Sequence, residues 1–237
     1  MVDILAIGVH PDDIELNCSG TLLHQMAQGS TVAIVDMTKG ELGTRGNAVL
    51  RLKEAKKAAQ ILGVKYRENL GMADGWFRNT KENQLKVIQM IRKYRPKVLI
   101  CNAIKDRHPD HGRASELVSE AAFYAGLSKI STKDKGKVQL PWRPLATYHA
   151  IQDRYIKPDF LVDITPYHSQ KMESILTYGS QFYQAGQKGP ETPISGKSFL
   201  LAIDARMRDF GRILQVDFAE GFTVERSIGV KNLLDLI

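Results

Sequence analysis

Apolar residues along the chain fall into two alternating kinds of run. Short continuous runs, Ile4 to Val9, Thr31 to Met37 and Val98 to Cys101, are bounded by turn residues and predict buried strands. Longer stretches repeat every three to four residues and predict helices. Leu22, Leu23 and Met26 lead to Gly29, and Ala55, Ala58, Ala59 and Leu62 mark Val49 to Leu62. Asn83 to Tyr94 stops before Pro96, and Leu117, Val118, Ala121 and Ala122 mark His111 to Gly126. Tyr66 to Leu70 reads as a further strand. Strands taking turns with helices imply βαβ units, hence an α/β fold on a mainly parallel sheet.

The second half is less regular. The segment from Gly126 to Pro144 is polar and lysine-rich, which predicts a long surface loop. Thr147 to Ile151 and Phe160 to Ile164 read as strands, and Ser169 to Ser180 and Phe199 to Gly211 as helices. Residues 184–197 carry three glycines and two prolines and read as a flexible active-site loop. No internal repeat or composition break divides the chain, so residues 1–237 are expected to form one domain.

Composition narrows the function classes. The chain is 43% hydrophobic and 25% charged, ordinary for a soluble globular protein. Cys18 and Cys101 lie far apart in apolar surroundings, which suits small core residues in a reducing compartment rather than a disulfide framework. The opening MVDILAIG lacks a basic leader, and no run of about 18 apolar residues occurs. A cytoplasmic location without a membrane partner is the expectation. The net charge is +7, but lysine and arginine are scattered and not interleaved with aromatic residues, so nucleic acid is not expected as a partner. What remains of the charge argument is a preference for an anionic small molecule.

Two segments carry unusual chemistry, each directly after a predicted strand, where open parallel sheets bind ligands. They are His10-Pro11-Asp12-Asp13-Ile14-Glu15 and Asp106-Arg107-His108-Pro109-Asp110-His111. A dinucleotide fingerprint would put glycines in the first turn; carboxylates there repel a pyrophosphate and favour a cation. His10, Asp13 and His111 can supply two imidazoles and a carboxylate to one divalent ion, leaving a place for water. Asp12 can then face that water, His108 the substrate carbonyl, and Asp110 can fix a histidine from behind. Taken singly, Asp12 or Asp13 is equally a helix N-cap, and His108 or His111 a polar loop residue. His24, His149 and His168 lie outside both turns and read as structural or surface residues. No G-x-S-x-G elbow supports a serine nucleophile.

On these segments the chain resembles the LmbE-like, or PIG-L, family of zinc-dependent amino-sugar deacetylases. The likeness extends through Gly20-Thr21, RLKEA from Arg51, NLGMADG from Asn69, DRHPDH from Asp106 and AEGF from Ala219. GELGTRG from Gly40, the QDRYIKPDFLVDITPY segment and the ETPIS loop resemble most closely the bacillithiol-biosynthesis branch, which hydrolyses N-acetylglucosaminyl malate to glucosaminyl malate and acetate. The resemblance implies a Rossmann-like three-layer fold with the site at the C-terminal ends of the strands. It implies His10, Asp13 and His111 as ligands of Zn2+ or Fe2+, Asp12 as general base, and His108 with Asp110 at the oxyanion or leaving amine. It further implies Arg51 as a residue that reaches the substrate, and a trimer or hexamer. Arg45 and Arg143 are candidates to help Arg51 bind the malate carboxylates, against the alternative that both are surface residues. Some family members carry a mobile tyrosine in the loop after the TP pair; Ser195 to Phe199 contains none, so no such role is carried over. Mycothiol-type, chitooligosaccharide and thiol-conjugate amides are the alternative substrates, and a nucleotide-binding protein or a charge-driven binding module the rival classes.

Overall fold

The computed structural model describes residues 1–186 and 189–235. In chain order the elements are β1 (Ile4–Gly8), α1 (Asp13–Asn17), α2 (Ser19–Ala27), β2 (Val32–Thr38), α3 (Ala48–Leu62), β3 (Tyr66–Met72), α4 (Lys81–Tyr94), β4 (Val98–Cys101) and α5 (Pro109–Ala125). There follow β5 (Lys133–Asp134), β6 (Lys137–Val138), β7 (Ala146–Ala150), β8 (Phe160–Asp163), α6 (His168–Leu176), α7 (Lys197–Leu214) and β9 (Ala219–Val224). Seven strands form one sheet in the order β3-β2-β1-β4-β7-β9-β8; β9 runs antiparallel to both neighbours and every other pairing is parallel.

The pleat of β1 explains the three layers. Leu5 and Ile7 face one way and pack with Ile88, Ile91, Leu117, Val118 and Ala121 of α4 and α5. Ile4 and Ala6 face the other way, against Leu22 and Leu23 of α2 and Leu62 of α3. Both faces are dry, which is why β1 and β2 read as continuous apolar runs rather than alternating ones. From β1 the chain adds β2 and β3 on one side, then returns to place β4 and β7 on the other. The crevice where the strand order reverses lies beyond β1 and β4, the place where open α/β sheets bind ligands.

The expected single α/β domain with a mainly parallel sheet is therefore what the chain forms. Four local expectations are corrected. Residues 126–144 are not all loop, because β5 and β6 pair as a short hairpin. Helix α5 begins at Pro109, since proline at the first position needs no N–H partner. Helix α6 ends at Leu176 rather than continuing to Ser180. The strand β9 was not expected at all, its interior holding a glutamate and a glycine. Among the described residues no helix is long and apolar enough to cross a membrane.

The buried glutamate of β9 explains the early Gly-Thr pair. Glu220 accepts the backbone N–H of Gly20 and Thr21 at 3.0 and 2.7 Å, and pairs with the equally buried Lys171 at 2.6 Å. Gly20 gives the room: a Cβ there would stand 2.8 Å from Ile164 Cδ1 and 2.9 Å from Glu220 Oε1. Gly20→Ala is expected to cost about 1–3 kcal/mol through overpacking, read as a lower urea midpoint at unchanged slope; an unchanged midpoint would remove this account of the glycine.

Candidate metal centre

Four strand ends converge on the crevice. Val9 and His10 leave β1, Asp74 follows β3, Asn102 follows β4, and Gln152 follows β7. The first two turns are stitched directly, with Val9 N donating to Asn102 Oδ1 at 3.0 Å. Parallel pairing of Ile7 with Cys101 is what brings positions 10 and 111, a hundred residues apart, to one place.

His10, Asp13 and His111 are buried, and each offers a ligand atom within 4.8 Å of the other two. Asp13 is the hub. Its Oδ2 accepts Val9 N, His10 N and Asn102 Nδ2 at 3.0, 3.0 and 2.9 Å, and its Oδ1 accepts Gln152 Nε2 at 3.0 Å. Each imidazole has one nitrogen held by a different carboxylate. His10 Nε2 meets Asp74 Oδ1 at 2.9 Å, and His111 Nδ1 meets Asp106 Oδ2 at 2.5 Å. The opposite nitrogens turn to the hub: His10 Nδ1 stands 3.7 Å from Asp13 Oδ2, and His111 Nε2 3.3 Å from Asp13 Oδ1. A carboxylate behind each histidine is how proteins fix the tautomer and aim the other nitrogen at a cation. Two imidazoles and one carboxylate, all dry and converging, fit a divalent ion such as zinc or ferrous iron.

The charges reinforce this reading. Burial opposes charge on His10 and His111, yet the carboxylates outweigh it and lift the rings to about 10 and about 9. Burial likewise opposes ionisation of Asp13, but the His111 and His10 rings hold it well below the usual carboxylate range. A divalent ion would compete with protons for the same imidazole nitrogens.

Asp12 stands apart from the hub. It occupies the N-cap position of α1 with φ 135°, yet its side chain makes no capping bond. Its Oδ2 instead accepts Arg51 Nη2 at 2.7 Å, and the same nitrogen donates to Pro11 O at 2.6 Å. Backbone strain of this kind is retained where the surroundings over-determine it and is common at functional sites. Burial pushes Asp12 up to about 7 against the pull of Arg51, the range that suits a general base at neutral pH. Gly40, at φ +64°, lets the arginine reach: a Cβ there would stand 2.3 Å from Arg51 Nη1.

His108 caps α5, its Nδ1 accepting the backbone N–H of Asp110 at 3.2 Å. An accepting Nδ1 leaves the proton of the neutral ring on Nε2. Burial, with the His10 and His111 rings nearby, holds His108 below its usual pKa. Asp110 meets His108 through this main-chain N–H. Its carboxylate accepts Gly75 N at 2.8 Å and Arg113 Nη1 at 2.7 Å, and stands 3.8 Å from His10 Nε2.

A cavity of about 380 Å³ opens over the cluster, lined by His10, Asp12, Asp13, His108 and His111, with Arg51, Arg107 and Arg206 among its walls. Arg51 is only 4% exposed and tied to Asp12, so it faces the cluster rather than solvent. Arg45 lines a second, more open hollow of about 610 Å³, which shares Thr44 with the first. The structure does not bring Arg143 to either: it lies over Phe123 with its centre 4.4 Å from the ring and donates to Phe123 O. Of residues 184–197, Thr192, Pro193 and Ile194 line the cavity over the cluster, while 187 and 188 lie outside the described residues.

Sequence patterning pointed to none of Asp74, Asn102 or Gln152, and gave Asp106 no role. Asp74 and Asp106 fall inside quoted motifs, NLGMADG and DRHPDH, and a buried acid behind each histidine was the signal to look for. His149 is a buried polar residue bonded to Ser115 and Glu225, His24 bonds Asp163 O, and His168 pairs with Asp204 while stacking on Phe218.

The GlcNAc-PI de-N-acetylase family, PIG-L, matches residues 5–122. A diacetylchitobiose deacetylase of Thermococcus kodakarensis is 30% identical over 191 residues, 76% of this chain and 70% of that protein. A probable N-acetyl-alpha-D-glucosaminyl L-malate deacetylase 2 of Bacillus anthracis is 27% identical over 201 residues, covering 76% and 81%. The crystal structure of a conserved protein from Thermus thermophilus superposes with a TM-score of 0.86 at 35% identity, covering 98% of each chain. With the fold, both histidine–aspartate turns and a 30%-identical deacetylase in agreement, the chain belongs to the PIG-L family of deacetylases.

Proposed function

We propose that the chain hydrolyses the N-acetyl group of an N-acetylglucosaminide, in its most specific form converting N-acetylglucosaminyl malate to glucosaminyl malate and acetate. The observation that carries the hydrolase reading is the pair of imidazoles, each held from behind by its own carboxylate and aimed at Asp13. The named relatives act on N-acetylated glucosamine derivatives, and the arginines on the cavity wall suit an anionic substrate. The two cysteines, buried and unpaired, suit a cytoplasmic setting.

His10, Asp13 and His111 would hold the divalent ion, and a bound ion of this kind acidifies water and polarises the acetyl carbonyl. Asp12 takes the proton from the attacking water as its oxygen adds to the carbonyl carbon. The Nε2–H of His108 donates to the oxygen that gains charge, which pre-aligned donors stabilise more in the transition state than in the substrate. As the C–N bond breaks, the proton held by Asp12 passes to the departing nitrogen. Water thus divides between acetate and amine, and no covalent enzyme intermediate is needed.

The test is metal analysis followed by acetate release from N-acetylglucosaminyl malate, diacetylchitobiose and N-acetylglucosamine. About one divalent ion per chain and the fastest release from the malyl glycoside are expected. No release from any of them by metal-loaded protein would end the hydrolase reading, and equal release from all three would end the malyl form of it.

A further inference from the structure

Arg206, on α7, lines the catalytic cavity. Its Nη2 donates to the main-chain oxygen of Asp153 at 2.6 Å, and among the described residues its guanidinium makes no other hydrogen bond and no ion pair. The two acids whose charge reaches it are engaged elsewhere. Asp153 Oδ2 accepts Arg107 Nε at 2.7 Å, while Asp106 accepts the main-chain N–H of Asp153 and Arg154 and holds His111. Burial pulls Arg206 below the usual arginine pKa, opposed by Asp153 and Asp106.

A guanidinium carries five donors in a rigid fork, so most of this one is unspent. Asp153 and Asp106 act on it through space without pairing with it, which leaves the fork open to an incoming anion. Arg206 is linked to His111 only through Asp153 and Asp106 and, among the described residues, makes no hydrogen bond or ion pair with His10, Asp13 or His111, which leaves its fork free for another part of the substrate than the acetamide.

We propose that Arg206 forms the anion subsite of this cavity and recognises a carboxylate on the group linked to the N-acetylglucosamine, a reading that rests on the function proposed above. Planar carboxylates match the fork of arginine in two parallel bonds, which a lysine cannot reproduce.

The experiment compares kcat/KM of the wild type, Arg206→Gln and Arg206→Lys on three substrates: the malyl glycoside, N-acetylglucosamine 1-phosphate and the neutral methyl glycoside. Arg206→Gln is expected to lose about 10–100-fold on the malyl glycoside, mainly through KM, and at least tenfold less than that on the methyl glycoside. Arg206→Lys should recover only part of the loss. Selective loss on the malyl glycoside upholds the carboxylate subsite; loss confined to the 1-phosphate overturns it in favour of a phosphate site. Equal losses on all three, or none, overturn it and leave Arg206 as a brace for residues 152–154. A titration needing no turnover separates this inference from the hydrolase reading: Arg206→Gln should weaken binding of glucosaminyl malate relative to glucosamine. That preference lost would support the subsite even if no substrate released acetate; the preference kept would overturn it.

Discussion

Asp12→Asn is expected to lower kcat by roughly 10²–10⁴-fold, the usual contribution of a general base, while bound metal stays at the wild-type level. The choice of asparagine follows from the backbone. Asp12 sits at φ 135°, and asparagine tolerates positive φ better than alanine or a branched residue. The amide oxygen can still accept Arg51 Nη2, now 2.7 Å from Asp12 Oδ2, so the arginine is not left buried without a partner. What the amide cannot do is take a proton from water. Loss of kcat with metal content and fold intact therefore isolates proton transfer from structure, and a variant within threefold of the wild type would show that another group is the base. Metal content by elemental analysis and kcat on the malyl glycoside are the two readouts.

Much of the fold was legible because both faces of its central strands are dry. Ile4 to Val9 and Val98 to Cys101 read as buried strands for the same reason that they pack between two helix layers. The candidate site was legible in its ligand atoms, since a histidine and an acid beside a proline after a strand are costly unless used. It was illegible in its supports. Asp74 comes from beyond β3 and Gln152 from beyond β7; both fall in quoted motifs, but hydrophobic patterning gives neither a role, and only the strand order makes them neighbours of His10 and Asp13. Strand β9 escaped for a related reason. Glu220 reads as exposed in sequence, and only the meeting of α2, α6 and β9 supplies the Lys171 ammonium and the two N–H groups that let it be buried. Arg143, for which a surface role was the stated alternative, lies over Phe123 and lines neither hollow.

Asp13→Asn should empty the metal centre and bring acetate release down to that of chelated wild type. Asp13 is the sole carboxylate among the three ligand atoms proposed, so the substitution removes the set's only negative charge. Geometry adds a second loss. Oδ2 accepts three donors, from Val9, His10 and Asn102, so the amide oxygen is bound to keep that place. The new NH2 then falls on the Oδ1 side, opposite His111 Nε2 at 3.3 Å. It donates into the lone pair that the ion needs, disabling a second ligand with one substitution. Removing a carboxylate behind a ligating histidine ordinarily costs 10–100-fold in metal affinity. Asp106→Asn should therefore lose roughly that much, and Asp13→Asn more than about 100-fold. Titration against buffered zinc or ferrous ion, with circular dichroism to confirm folding, orders the two variants. An Asp13→Asn protein that is folded, metal-loaded and within tenfold of wild-type activity would show that the ion sits elsewhere, and the hydrolase reading would lose the geometry it stands on.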